Sequence, residues 1–79
     1  MKAYGRPRKA GPSPDLELGE VSLLATPESL RALARFLAES ADQMEQHGPD
    51  FGHNHLRDSA HGWQQDWADF IVAKPDISE

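Results

Sequence analysis

His47, His53, His55 and His61 are interleaved with Asp50, Asp58 and Asp66, and these are the side chains whose types and spacing could do chemistry. A His-x-His pair on an extended segment places two imidazoles on one side of the backbone, and a third His or an Asp would complete a tetrahedral zinc site. The spacing fits no strong zinc motif, and without cysteine every ligand would have to be an imidazole or a carboxylate. His55 with Asp58 offers a general acid–base pair for phosphodiester cleavage, but a loop rich in both residue types forms such pairs by chance. Ser29, Ser40 and Ser59 lack the glycine-framed turn that activates a serine, and the chain has no glycine-rich phosphate loop. These residues spell no catalytic centre, and neither a cofactor nor a native metal is expected. A metal-binding or hydrolytic domain built on His53, His55 and His61 is the alternative they keep open.

Structural use is the expected role of these histidines, which in such a loop pack on the sheet or hydrogen-bond backbone groups. Trp63 and Trp67 are four residues apart, and tryptophan is favoured at the centres of protein interfaces, although two tryptophans beside a strand in a small domain usually close its core. Of the two, Trp63 is expected to be the more exposed. The candidate partner-binding residues are Asp50, His53, His55, Asp58, His61, Trp63, Asp66 and Asp69.

The elements that position them begin with a helix. Thr26 can accept from the free N–H groups of a first helical turn, and Pro27 fits the first helical position, where it loses no hydrogen bond. Leu30, Leu33, Phe36, Leu37, Ala41 and Met44 recur at three- and four-residue spacing as one apolar stripe. Arg31, Arg35, Glu39, Asp42 and Glu45 fill the other face, and Gly48-Pro49 supplies the stop. The helix is expected over residues 27–47.

Before it, Leu16 and Leu18 share one parity while Val21, Leu23 and Ala25 share the other, so a regular strand would split them between two faces. A bulge near Gly19 and Glu20 would bring all five to the core side, which predicts an irregular strand over residues 16–25. Residues 67–73, apolar and β-branched and closed by Lys74-Pro75, read as a strand buried on both sides, with residues 49–66 as the loop before it. A short edge strand around Ala3 and Tyr4 precedes a Gly11-Pro12-Ser13-Pro14 connector. The expected fold is α+β in the order β-β-α-β: a two- to three-stranded sheet with one long helix on one face. The strand before the helix and the closing strand are expected to pair in parallel through a right-handed crossover.

Seventy-nine residues make one domain with a small core, its first fifteen residues a partly flexible basic segment. With no cysteine, no disulfide or thiolate–metal staple supplements that core, and a partner or a second copy would help it. No apolar run is long enough to span a bilayer and MKAYGRPRK has no apolar signal segment, so no membrane partner and a cytoplasmic location are expected. Lys2, Arg6, Arg8 and Lys9 precede the first acid, Asp15, which leaves four bases against thirteen acids and a net of −9. Such a body repels nucleic acid and attracts a cationic protein. Dimerisation through an exposed sheet edge is the expectation that remains for a structural module.

The order of these pieces resembles the bacterial immunity protein 32 family. The resemblance rests on E-V-S-L-L-A-T-P-E-S-L, on the helix R-A-L-A-R-F-L-A-E-S-A-D-Q-M-E, and on H-G, G-H-N-H-L and D-F-I-V-A-K-P in that order, with M-K-A-Y-G resembling the family's start. It spans residues 16–75 and departs at R-P-R-K-A-G-P-S-P and S-A-H-G-W-Q-Q. It implies a small cytoplasmic α+β protein that binds and neutralises a cognate toxin domain and carries no chemistry of its own.

Overall fold

A computed structural model describes residues 1–8, 16–60 and 62–75. The element order is β1 (Lys2–Pro7), β2 (Leu18–Leu24), α1 (Pro27–His47), a 3₁₀ turn (Gly48–Asp50), β3 (His53–His55), a one-turn helix α2 (Leu56–Ser59) and β4 (Ile71–Ala73). This is the expected α+β class, with the helix at the expected bounds.

The helix ends as its sequence dictates. Thr26 is extended and its side chain accepts from the Ser29 N–H at 3.2 Å, Pro27 sits in the first turn, and Glu28 lies at the positive end of the dipole. Gly48, at φ +54°, donates its N–H to the Met44 carbonyl and turns the chain into Pro49.

The buried face of α1 is rotated from the expected stripe. Ser29, Leu33, Phe36 and Ser40 are buried, whereas Leu30 and Leu37 are 43% and 47% exposed and Ala41 is also exposed. Two serines can occupy that face because each has a polar partner there: Ser29 faces Thr26, and the Oγ of Ser40 accepts from Asn54 Nδ2 at 3.2 Å.

Strand pairing also departs from expectation. β2 pairs with β1, antiparallel, and β4 pairs with β3, antiparallel, so among the described residues two separate two-stranded sheets replace one sheet with a parallel crossover pair. The chain from α1 to β4 is not a plain loop. It folds back at β3 and α2, offering β4 an antiparallel partner close in sequence, which costs less loop entropy than reaching β2. The expected bulge is present: the register moves from Arg6↔Glu20 to Pro7↔Leu18, leaving Gly19 as the extra residue. It does not bury β2, all of whose residues are exposed. The closing strand is shorter than residues 67–73 and only its central Val72 is half-buried. The Gly11-Pro12-Ser13-Pro14 connector lies outside the described residues.

The core is correspondingly small. Leu33 and Phe36 of α1 meet Leu56 and Trp63, with Met1, Ala32, Ala60, Trp67, Phe70 and Val72 packed around them. Leu56 is fully buried and is the pivot between β3 and α2.

Candidate functional site

The segment after α1 is folded around one carboxylate. Asp69 Oδ2 lies 2.6 Å from His55 Nδ1, and its Oδ1 accepts the backbone N–H of Arg57 at 2.9 Å. A carboxylate can only accept, so Nδ1 carries the proton and the imidazole tautomer is fixed. Burial alone would raise the Asp69 carboxyl, but the Arg57 N–H, the His55 hydrogen bond and the charges of His55 and Arg57 outweigh it and hold the group below its ordinary value of 3.8. Arg57 Nη2 donates to the Trp67 carbonyl at 3.0 Å, and the Leu56 N–H donates to the Phe70 carbonyl at 2.9 Å. These bonds tie β3 and α2 to the chain entering β4.

Asn54, between the two histidines, points the other way along the period-two alternation of a strand. Its Nδ2 reaches Ser40 and, at 2.8 Å, Gln43 Oε1, which fastens β3 to α1. His53 and His55 share the opposite side as the H-x-H spacing requires, their rings edge-to-face with centroids 5.0 Å apart.

The tryptophans exchange their expected places. Trp63 is buried, its indole N–H donating to the Ala68 carbonyl at 3.0 Å, while Trp67 is half-buried. Trp67 and Phe70 both stand edge-to-face to Trp63, at 5.0 and 6.4 Å between centroids. The satisfied N–H is what lets Trp63 sit inside.

The candidate residues thus divide. Asp50, His53, Asp58 and Asp66 are exposed, and none of the three aspartates is in an ion pair among the described residues. His55, Asp69 and Trp63 are bonded inward and hold the segment in shape. His61 lies outside the described residues. No three His, Cys, Asp or Glu side chains converge to hold a metal ion among the described residues. A hollow of about 240 Å³ along α1, lined by Ala32, Arg35, Phe36, Glu39, Ser59 and Ala60, contains none of the described histidines. Asn54 and Arg57 are the contributors that sequence reasoning missed. Asn54 was legible as the middle residue of H-x-H, facing opposite to both histidines, but Arg57 meets Asp69 through its backbone N–H, which no residue type reveals, while its guanidinium goes to the Trp67 carbonyl.

The family model of Immunity protein 32 matches residues 20–75, from the middle of β2 past the end of β4. The chain belongs to the Immunity protein 32 family. The match takes in α1 and the whole Asp69-centred segment, the parts that the residue-order resemblance rested on. No curated protein and no solved structure matches the chain. Among the described residues, no helix is long and apolar enough to cross a membrane.

Proposed function

We propose that this immunity protein 32 family member binds a cognate toxin domain in the cytoplasm and neutralises it by occupying its working surface, with no catalysis of its own. Family membership carries this reading, and the charge of the chain supports it. With thirteen acids against eight bases the protein repels nucleic acid, and a toxin that works on nucleic acid presents the opposite charge. In this reading Asp50, His53, Asp58 and Asp66 meet the toxin, together with His61. His55, Trp63 and Asp69 act from behind by holding the segment in one conformation before binding, which reduces the entropy lost on association.

The test is a binding titration of the purified protein with its cognate toxin domain, sought among the neighbouring genes, paired with growth of cells expressing that domain with and without this protein. The proposal expects tight binding and rescued growth; a folded protein that neither binds nor rescues would overturn it.

A further inference from the structure

The β1–β2 hairpin has one wholly apolar face, and that face is exposed. The pairing Ala3↔Leu23, Gly5↔Val21 and Pro7↔Leu18 puts these six residues on one side, because the bulge at Gly19 returns Leu18 to the side of Val21. Leu18 lies across Gly5 so closely that a Cβ there would stand 2.6 Å from Leu18 Cδ1, which confirms the shared face. Val21 is 55% exposed, Leu18 42% and Leu23 38%. The other face is mixed: Lys2, Arg6, Glu20 and Ser22 share it with Tyr4 and Leu24, 56% and 58% exposed, and Arg6 and Glu20 are paired at 3.4 Å. A two-stranded ribbon is marginal in water until its apolar face is covered.

We propose that a second copy of this chain covers that face, two hairpins stacking across a two-fold axis near Val21 at the ~10 Å spacing of packed sheets. Charge selects this occupant. The described hairpin holds three bases, Lys2, Arg6 and Arg8, against two acids, Glu17 and Glu20, whereas the rest of the chain holds five bases against eleven acids. A self-complementary interface sets like against like, so two copies of this acidic chain meet with least repulsion at the hairpin. A cationic partner is drawn to the remainder, at −6, instead. Face stacking is favoured over edge pairing because Lys2, Arg6 and Pro7 guard the β1 edge. The inference stands independently of the toxin reading, since dimerisation is measured on this protein alone.

Sedimentation equilibrium of the full chain is expected to give twice the monomer mass, and Val21→Lys with Leu23→Lys to return it to the monomer while Ser22→Lys leaves the dimer. If the double variant does not fold, the cysteine-free chain allows a second route: Val21→Cys is expected to crosslink two copies under mild oxidation and Ser22→Cys to do so several-fold less. A wild-type protein monomeric at all concentrations, or equal crosslinking from the two faces, would overturn the proposal. Monomeric wild type with toxin binding weakened by Val21→Lys would give the face to the toxin and overturn it equally.

Discussion

Asp69 and His55, fourteen residues apart, are joined at 2.6 Å between Oδ2 and Nδ1, and the second oxygen of the same carboxylate holds the Arg57 N–H. One side chain thereby closes the loop between β3 and β4, in which Asp58 and Asp66 are exposed. Asp69→Ala leaves the Arg57 N–H and the His55 ring without their acceptor and is expected to cost about 1–3 kcal/mol. Asp69→Asn, which keeps one carbonyl oxygen for the Arg57 N–H, is expected to cost less. Urea denaturation of the two variants checks the order.

The lowered Asp69 carboxyl also sets a pH dependence. Between its folded value and its ordinary 3.8 the unfolded chain binds the proton and the folded one does not, so stability rises with pH there. The contribution is in full force above that ordinary value and disappears as pH falls through the folded one. Asp69→Asn is therefore expected to lose the Asp69 share of the acid-side decline, and comparing stability against pH for the two proteins measures it.

Ser40 is almost fully buried and its oxygen receives Asn54. Asn54→Ala removes the partner and the tie to Gln43, and is expected to cost about 1–3 kcal/mol. Ser40→Ala in that background removes the stranded hydroxyl and adds a better helix former, so the double variant is expected to be more stable than Asn54→Ala alone. Thermal unfolding followed by helical circular dichroism distinguishes them.

Leu56→Ala strikes the centre of the core, which among the described residues holds four buried apolar side chains, Leu33, Phe36, Leu56 and Trp63. The expected cost is about 2–5 kcal/mol, a large part of the stability of a domain this small. Trp63 fluorescence reports the unfolding, because its environment is that core.

Much of the local structure was legible in the residues. Thr26-Pro27 and Gly48-Pro49 mark helix ends by hydrogen-bonding and backbone rules that act within one turn, and the parity break between Leu18 and Val21 betrays the bulge at Gly19. Pairing was not legible, because the partner of a strand is chosen by chain geometry far from its own sequence. Leu30 and Leu37 look as buried as Leu33 in any periodic reading, and only the position of β3 and α2 decides which arc of the helix is covered. In the candidate site, H-x-H correctly placed two imidazoles together. Asp69 was expected among partner contacts, and nothing in its type reveals that both its oxygens are engaged within the fold.

The account turns on the exposed acids, so the decisive measurement is a titration of the cognate toxin domain with the wild-type protein and with Asp50, Asp58 and Asp66 all changed to Asn. The account predicts tight wild-type binding that weakens with salt, and a variant, folded as before, that binds at least tenfold more weakly, about 1.4 kcal/mol. Unchanged affinity in the folded variant would contradict the acidic surface, and no binding by the wild type would contradict neutralisation by direct contact.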